Sequence, residues 1–380
     1  MKILLVGEYS RLHNSLKEGL ITLGHTVKII GDGDGFKNFP VDIKFENSFK
    51  KGIPLALKRI IYKIFKIDLG SLSTLHQFNK HKNNLTGFDV VQIINERAFK
   101  TLPNIEIKIL EFLFKNNKNV FLLSCGTDYL SVKYAFDKKY RYSILTPYFN
   151  NKVSKKEIHY IFQYLEASHI NLHTYIYQHI KGVIASDMDY HLPIRKQPKY
   201  LGLIPNPINT QKIDFTANLV IDKIVIFHGI NSHKYYKKGN DLFDEALQII
   251  SSRHKDKVEI ISTTDIPYDD YINSYNKAHI LLDMVYAYDQ GYNALEAMAK
   301  GKVVFTGAEQ EWLDYYGLEK NTVAINAEPL VDSIVENLEW LINNPEQIIA
   351  ISKNAREFIE KEHNYIKVAN RYLEVWNTSN

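Results

Sequence analysis

The sequence predicts an α/β protein built from two doubly wound, Rossmann-like domains. The start of the chain reads as a strand over 2–6, a helix over 12–23 that ends at Gly24, and a strand over 26–30. A second strand, helix, strand unit lies much later, with apolar strands over 278–283 and 303–305 around a short helix. A chain of 380 residues has room for two domains of ordinary size.

The remaining elements follow from apolar periodicity. Apolar runs bounded by turn residues predict strands, and apolar residues at helical spacing predict helices. The predicted strands cover 88–95, 120–123, 182–186, 223–229, 258–262 and 321–325. The predicted helices cover 106–115, 154–180, 269–278, 329–342, 345–360 and 365–376.

Composition excludes several classes of protein. The net charge is only +4, so the composition gives no strong indication of nucleic-acid binding. Cys125 is the only cysteine, which excludes an internal disulfide framework and is typical of a reducing compartment. Residues 1–8 become polar too early for a signal peptide, and no stretch is apolar for long enough to span a bilayer. We therefore expect a cytoplasmic protein.

The stretch 288–305 has the pattern of an anion site. Gly291 lies in a loop that leads into a helix with Asn293 as the expected N-cap and Gly301 at its end. Backbone N–H groups and the helix dipole favour an anion there. Glu296, expected on the first turn, would accept hydrogen bonds from vicinal hydroxyls, so a phosphate next to a ribose fits. The alternative is an ordinary crossover with a tight turn.

This stretch resembles the retaining glycosyltransferases of the GT-B fold, in particular the family-four group. That family carries Glu-Gly-Phe-Gly, four variable residues, Glu-Ala-Met-Ala, a glycine and a Pro-Val-Val-like strand. The matching positions here are Gly291, Glu296, Ala297, Met298, Ala299, Gly301, Val303 and Val304. The resemblance implies two domains that face each other across a cleft, and a nucleotide-sugar donor bound by the second domain without a metal or another cofactor.

The resemblance also implies roles for single residues. Glu296 takes the place of the glutamate that binds the ribose, and the amides near Gly291, Tyr292 and Asn293 would approach the diphosphate and sugar. The first glutamate of the motif, which holds a sugar hydroxyl, is replaced by Tyr288. Asp289 beside it is a candidate substitute.

A second donor element precedes this motif. The predicted strand 223–229 ends at Gly229, and the stretch 237–247 resembles the family's Arg-Lys-Gly helix entry. By position, Lys238 takes the role of the lysine that neutralises the donor diphosphate and is a catalytic candidate. Ile230 replaces the family's arginine, and Lys234 or Lys237 is a candidate to compensate.

The first domain carries the acceptor-side candidates. Cys125, Gly126, Thr127 and Asp128 follow the strand 120–123 and resemble the family's His-Gly-Thr-Asp turn, with Cys125 in the histidine position. Gly126 permits a sharp turn, and Asp128 is a candidate to bind hydroxyls in catalysis, with a helix cap as an equal alternative.

Two further groups of polar residues lie in the first domain. His13 and Asn14 follow the first loop, which lies in the cleft of the family, although surface positions on the first helical turn are the alternative. His169 and His173 have the spacing of a metal pair, but we expect packed or solvated side chains and no metal.

The run 204–209 resembles the family's interdomain linker and is the clearest boundary. It divides the chain into an acceptor-side domain over 1–205 and a donor domain over 206–364. The resemblance also implies that a last helix over 365–380 packs back on the first domain.

An amphipathic basic segment covers 53–67. Leu57, Ile60, Ile61, Ile64 and Phe65 form an apolar stripe, opposed by Lys58, Arg59, Lys63 and Lys66. The segment suits an anionic membrane surface, and hence a lipid-linked acceptor, or is a domain helix with a solvated lysine face.

The sequence thus predicts a retaining, metal-independent glycosyltransferase that moves a sugar from a nucleotide-sugar to a glycan or lipid-linked hydroxyl. Two alternatives stay open: a GT-B nucleotide-sugar epimerase, and a catalytically silent GT-B protein that binds a partner or a lipid.

Overall fold

The computed structural model describes residues 1–46, 49, 52–65 and 67–378. The strands are β1 (Lys2–Val6), β2 (Thr26–Gly31), β3 (Ile43–Lys44), β4 (Val90–Ile93), β5 (Asn119–Ser124), β6 (Gly182–Ala185), β7 (Tyr200–Leu203), β8 (Ile224–Ile230), β9 (Val258–Thr264), β10 (Ile280–Leu282), β11 (Val303–Thr306) and β12 (Ile325–Asn326).

Helices connect these strands. They are α1 (Leu12–Thr22), α2 (Gly52–Phe65), α3 (Leu69–His81), α4 (Pro103–Asn116), α5 (Tyr129–Phe136), α6 (Thr146–Phe149), α7 (His159–Phe162), α8 (Ala167–His179), α9 (Met188–Ile194), α10 (Tyr235–Lys238), α11 (Asn240–Arg253), α12 (Tyr268–Lys277), α13 (Tyr292–Ala299), α14 (Gln310–Tyr316), α15 (Val331–Asn343), α16 (Pro345–Glu362) and α17 (Tyr365–Thr378). In the described part of the chain, no helix is both long and apolar enough to cross a bilayer.

The chain divides into two compact units. Unit 1 comprises Met1–Lys133, Tyr160–Pro207 and Tyr365–Asn380, and unit 2 comprises Tyr134–His159 and Ile208–Asn364. The sequence places all of 1–205 in one domain, whereas the segment Tyr134–His159 clusters with unit 2. The rings of Tyr140 and Tyr142 pack on Tyr288 of unit 2, which accounts for this difference.

Unit 1 is built on a seven-stranded parallel sheet in the order β3-β2-β1-β4-β5-β6-β7. The interior strand β1 is apolar and fully buried from Ile3 to Val6, as expected for a parallel sheet that is covered on both faces. Helix α17 packs on α1, and the Trp376 indole Nε1 donates a hydrogen bond to Gln92 Oε1 at 3.3 Å. The α/β fold is therefore confirmed for this unit.

Unit 2 is built on a five-stranded parallel sheet in the order β12-β11-β10-β8-β9. Its core includes Phe227, Leu281, Met298, Val304 and Trp312, all of them buried. The predicted unit of strand, short helix and strand is present as β10, α13 and β11. Because β10 and β8 are neighbours in this sheet, the loops that leave their carboxyl ends meet at one edge.

Several predicted elements are wrong in extent. The helix predicted over 154–180 is interrupted, because Glu166 has an extended backbone between a 3₁₀ turn and α8. The strand β7, which pairs with β6, is not among the predicted strands. Of the strand predicted over 321–325, only Ile325 pairs with β11, together with Asn326 beyond the predicted range. The basic amphipathic segment forms α2, but Lys66 lies outside the described residues.

Candidate functional site

A buried carboxylate organises the carboxyl edge of the sheet in unit 2. Asp283 directly follows β10 and is 5% exposed. Its Oδ1 atom accepts a hydrogen bond from the Lys238 ammonium at 2.9 Å and another from Asn293 Nδ2 at 2.9 Å. Asp283, which the sequence does not assign to the donor site, thus connects Lys238 and Asn293, which it does assign.

The backbone around Lys238 is fixed by the turn that follows it. Gly239 has φ 75°, in the left-handed region that favours glycine, and a Cβ atom there would lie 2.6 Å from Val285 Cβ. The Val285 N–H donates to the Lys238 carbonyl at 2.9 Å. The Lys-Gly pair therefore places the lysine at the edge of the sheet, where its ammonium keeps donors beyond the one that Asp283 takes.

The helix of the central motif begins earlier than predicted. Gly291 is the N-cap of α13, so the expectation that Asn293 caps the helix is wrong. Asn293 lies in the first turn, where its amide side chain bonds Asp283 and its Oδ1 accepts from the Tyr271 hydroxyl at 3.2 Å. Because the helix starts at Tyr292, Glu296 lies in the second turn, not the first, and is partly exposed. Gly301 has φ 83°, as expected for a residue that follows a helix.

The electrostatics of this edge favour an anion. The first backbone N–H groups of α13 have no partner within the helix, and the dipole places partial positive charge there. Burial, together with the neighbouring charges of Lys234 and Lys238, lowers the pKa of Lys237 to about 8. Among the described residues, no group of three or more His, Cys, Asp or Glu side chains is arranged to hold a metal ion.

Gly229 lies inside β8, which continues to Ile230, so the prediction that the strand ends at this glycine is wrong. A Cβ atom at Gly229 would lie 2.4 Å from the Tyr271 ring, which explains the glycine by packing. The preceding residue, His228, is fully buried, bonds Asn240 Oδ1 through Nε2 at 3.1 Å, and has its pKa lowered by burial. The end of β8 therefore contributes packing to the site. Ile230, which replaces the arginine of the resembling family, contributes no positive charge.

The residues before Gly291 are buried. The Tyr288 hydroxyl oxygen accepts a hydrogen bond from the Arg141 N–H at 2.7 Å. Asp289 is buried as well, and its Oδ1 accepts from the Gln290 N–H at 2.6 Å. Tyr288 thus packs where the motif of the resembling family has a glutamate, and Asp289 is the nearest carboxylate in sequence.

In unit 1, the turn after β5 has the geometry of a helix start. Gly126 has φ 78°, and Asn95 Nδ2 donates to the carbonyls of Cys125 and Thr127 at 2.9 and 3.2 Å. Asp128 is buried: its Oδ1 accepts from the Ser131 N–H at 2.7 Å and its Oδ2 from the Ser124 hydroxyl at 2.5 Å. Asp128 therefore caps α5, which was one of its two predicted roles.

His13 and Asn14 are buried, so the alternative of surface positions is wrong. His13 Nδ1 donates to the Gly7 carbonyl at 2.7 Å, and burial lowers its pKa to about 4. The Asn14 backbone N–H and side-chain amide both donate to Glu8 Oε2, at 2.9 and 2.6 Å. Burial raises the pKa of Glu8 to about 7. His13 and Asn14 therefore belong, with Glu8, to a buried polar cluster at the end of β1.

Cys125 follows β5 at the same edge. Burial raises the pKa of its thiol well above the ordinary value, and the nearby Asp187 carboxylate raises it further. This environment gives a neutral thiol, which disfavours a nucleophilic role for Cys125. Of the two histidines with metal-like spacing, His173 bonds Glu96 at 2.6 Å and His169 packs against Tyr164.

Sequence reasoning missed four residues of these clusters. Asp283 directly follows the buried strand β10, and Glu8 lies two residues after β1. The general rule that α/β sheets bind ligands at the carboxyl ends of strands would have pointed to both. Glu96, which follows β4 and bonds His173, is found by the same rule. The fourth, Arg141, lies in a loop distant in sequence, and nothing local indicates its contact with Tyr288.

Residues 237–374 match a family model described as glycosyl transferase-like. No curated protein matches the chain in sequence.

Solved structures share the fold over the whole chain. Sucrose-phosphate synthase from Thermosynechococcus elongatus superposes with a TM-score of 0.61 at 13% identity. The match covers 100% of this chain and 99% of the synthase chain. Anabaena HepE in complex with UDP and glucose has a TM-score of 0.57 at 13% identity, with both chains covered fully. An S. aureus TarM variant in complex with Fondaparinux, alpha-GlcNAc-glycerol and UDP has a TM-score of 0.58 at 12% identity, with 99% of each chain covered.

The two parallel-sheet units and the matched segment define the class of protein. The chain has the GT-B fold, and its residues 237–374 resemble glycosyl transferases.

Proposed function

We propose that the protein transfers a sugar from a nucleotide-sugar to a hydroxyl of a glycan or lipid-linked acceptor, with retention of the anomeric configuration and without a metal ion. The observation that carries the proposal is the group formed by Lys238, Asp283 and Asn293. It combines a cation, a buried carboxylate that orients it, and the N-terminus of α13 at one sheet edge. A nucleoside diphosphate is the ligand class that this combination suits.

The donor would use these groups as follows. The diphosphate binds the Lys238 ammonium and the amides at Gly291, Tyr292 and Asn293. Glu296, on the exposed side of the second turn, accepts hydrogen bonds from the ribose hydroxyls. Asp289 and the Gly229 segment border the sugar. Support for the donor class comes from HepE, whose structure holds UDP and glucose, and from TarM, whose structure holds UDP.

In the reaction, the bond between the anomeric carbon and the phosphate oxygen breaks, and a bond from the acceptor oxygen to the same face of that carbon forms. The acceptor proton passes to the departing phosphate, so atoms and charge balance without a protein nucleophile. Lys238 stabilises the negative charge that develops on the diphosphate, which is electrostatic catalysis. Because charge stabilisation comes from the lysine and the helix amides, the step does not call for a metal.

The acceptor side would use unit 1. Asp128, Cys125 and Gly126 lie in the turn after β5, and His13 and Asn14 lie after β1. Asp128 already accepts two hydrogen bonds and caps α5. We propose that Asp128 fixes the shape of this turn and that its catalytic effect passes through the turn's backbone. A lipid-linked acceptor in cell-surface polysaccharide synthesis would place the protein on the cytoplasmic face of the membrane.

Two other functions compete with this one. A protein from Listeria monocytogenes assigned as a UDP-N-acetylglucosamine 2-epimerase has a TM-score of 0.52 at 10% identity, and its donor class is the same. An epimerase would change the sugar of the donor without an acceptor. A silent binding protein would bind without turnover, and it is favoured by the loss of the first motif glutamate at Tyr288.

The test is a calorimetric screen of UDP, GDP, ADP and their sugar conjugates, with and without EDTA, followed by product analysis. The wild type is compared with Lys238→Met and Glu296→Ala, and with Lys353→Met, an exposed lysine on α16, as the matched control. We expect one nucleotide to bind, a loss of affinity of about 10-fold or more in the first two variants only, and an unchanged result in EDTA. A donor hydrolysed or transferred with inversion, a converted donor sugar, or no binding at all would each contradict the proposal.

A further inference from the structure

The apolar stripe of α2 is exposed. Leu57, Ile60, Ile64 and Phe65 are 48%, 56%, 64% and 65% exposed. The first three lie at i, i+3 and i+7, so they share one face of the helix. A helix of a globular domain normally turns such a face towards the core. In α2 this apolar face points away from the core.

The other side of α2 is attached to unit 1. The Lys58 ammonium forms an ion pair with Asp68 at 3.0 Å, and Asp68 caps α3 by accepting from the Ser71 N–H at 2.9 Å. Burial acts to raise the pKa of Asp68, but the bonds from Ser71 and Lys58 hold it below its ordinary value. Lys58 is therefore occupied in holding α2 on α3, so the helix presents its apolar face in a defined orientation.

The exposed charges of α2 have one sign. Arg59 and Lys63 lie four residues apart on the polar side of the helix and are exposed, and the sequence from 52 to 65 contains no Asp or Glu. A helix with an apolar face, a basic polar side and no acid is complementary to an anionic surface with an apolar interior. An anionic phospholipid bilayer offers both properties.

We infer that α2 docks on an anionic phospholipid bilayer, with Leu57, Ile60, Ile64 and Phe65 inserted at the level of the headgroups and Arg59 and Lys63 in contact with lipid phosphates. This docking deepens the proposed function, because it brings the enzyme to lipid-linked acceptors, but it uses no residue of the donor site. A second copy of the chain is the weaker occupant. A helix of 14 residues is about 21 Å long, and one face of it falls well short of the roughly 800 Å² per partner of a stable dimer.

The test is cosedimentation of the full chain with vesicles of phosphatidylcholine alone and of phosphatidylcholine with about 30% phosphatidylglycerol, at low and high salt. Two double variants probe the two parts of the face: Ile60→Glu with Ile64→Glu, and Arg59→Glu with Lys63→Glu. Their matched controls are Leu219→Glu with Ile221→Glu, which are exposed apolar residues of unit 2, and Lys353→Glu with Lys361→Glu, which are exposed lysines of α16. Melting temperatures confirm that each variant folds, and analytical ultracentrifugation reports the oligomeric state.

We expect the wild type to bind the anionic vesicles, with weaker binding at high salt. The Arg59→Glu with Lys63→Glu variant should lose about 25-fold or more of this partitioning, since each basic residue contributes about 5-fold. The Ile60→Glu with Ile64→Glu variant should lose about as much, because it removes the inserted apolar side chains and adds two negative charges, and the controls should keep the partitioning. The inference is overturned if the wild type stays in the supernatant with both vesicle types, if the variants of α2 bind as the wild type does, or if they abolish only a dimer. Nucleotide binding, measured separately, tells a failure of docking from a failure of the donor site.

Discussion

The Tyr288 hydroxyl oxygen accepts a hydrogen bond from the Arg141 N–H at 2.7 Å, and the Arg141 guanidinium lies over the Tyr288 ring, 4.9 Å from its centre. The same guanidinium bonds Glu309 at 2.5 Å and Glu311 at 2.7 Å. Tyr288 therefore anchors the segment 140–142 within unit 2. The position that carries a sugar-binding glutamate in the resembling family has a structural role in this chain.

This relationship predicts how two substitutions at Tyr288 differ. Tyr288→Phe keeps the ring and removes one hydrogen-bond acceptor, so we expect a loss of about 1 kcal/mol in the free energy of unfolding. Tyr288→Glu, which restores the family's residue, buries a charge and removes the ring, so we expect a loss of about 3 kcal/mol or more. Urea unfolding measures both values. A Tyr288→Glu protein as stable as the wild type, with improved sugar binding, would show that the position still belongs to the donor site.

Asp283 yields a prediction that separates positioning from binding. In Asp283→Asn, the Lys238 ammonium keeps a hydrogen-bond acceptor but loses its charged partner, and the anionic donor meets less negative charge nearby. We expect turnover to fall by about 10-fold or more while affinity for the nucleotide changes by less than about 10-fold. Calorimetry gives the affinity and single-turnover kinetics the rate. If neither quantity changes, Asp283 does not orient Lys238 for the reaction.

The fold was more predictable than the site because the two depend on different kinds of information. Buried parallel strands are continuous apolar runs, and β1, β5 and β10 were therefore visible in the sequence. The turn from Lys238 to Gly239 and the entry to α13 were visible because glycines mark them. Two features depend on contacts between distant residues: Arg141 with Tyr288, and Asp283 with Lys238. A third, Glu8 with Asn14, joins residues six positions apart across the loop between β1 and α1. No local sequence pattern encodes such pairs. The rule that α/β sheets bind ligands at the carboxyl ends of strands reduces the number of candidate residues.

Helix starts show the same limit on a smaller scale. Asn293 is a better N-cap by propensity than Gly291, yet α13 begins after the glycine. The Asn293 side chain gains bonds to Asp283 and Tyr271, which local propensity does not include. For α2, one periodicity predicts two alternatives, a helix on a membrane surface and a domain helix. The exposure of Ile60 and Ile64, which periodicity does not contain, supports the docking inferred above.

The buried pair of Glu8 and His13 predicts opposing contributions to pH-dependent stability. The pKa of Glu8 is raised from 4.5 to about 7, so the folded state binds the extra proton, and this contribution is lost as pH rises from about 4.5 to 7. The pKa of His13 is lowered from 6.5 to about 4, so its contribution to stability grows as pH rises from about 4 to 6.5. The two effects oppose each other between pH 4.5 and 6.5.

Glu8→Gln removes the first effect and keeps an acceptor for Asn14. We expect the melting temperature of this variant to rise with pH between about 4.5 and 6.5 more steeply than that of the wild type, by a few degrees over the window. Glu374→Gln, an exposed glutamate on α17, is the control and should follow the wild-type curve. Parallel curves for Glu8→Gln and the wild type would show that Glu8 ionises normally in the folded protein.

Two glycines at the donor edge predict opposite outcomes for the same substitution. Gly239 has φ 75°, and a Cβ atom there would lie 2.6 Å from Val285 Cβ, so Gly239→Ala combines backbone strain with a clash. We expect a loss of about 2–4 kcal/mol in the free energy of unfolding. Gly291 has φ −73° and ψ 166°, and a Cβ atom there meets nothing within 4 Å, so Gly291→Ala should leave stability unchanged within about 1 kcal/mol.

The stable Gly291→Ala protein then reports on the ligand alone. If the donor diphosphate lies against the amides at the start of α13, the added methyl group occupies space that the phosphates need, and affinity for the nucleotide should fall by about 10-fold or more. Calorimetry of the variant beside the wild type measures this change, and unchanged thermal unfolding confirms that the fold is intact. Unaltered affinity in Gly291→Ala would place the diphosphate away from Gly291 and leave Lys238 as its main contact.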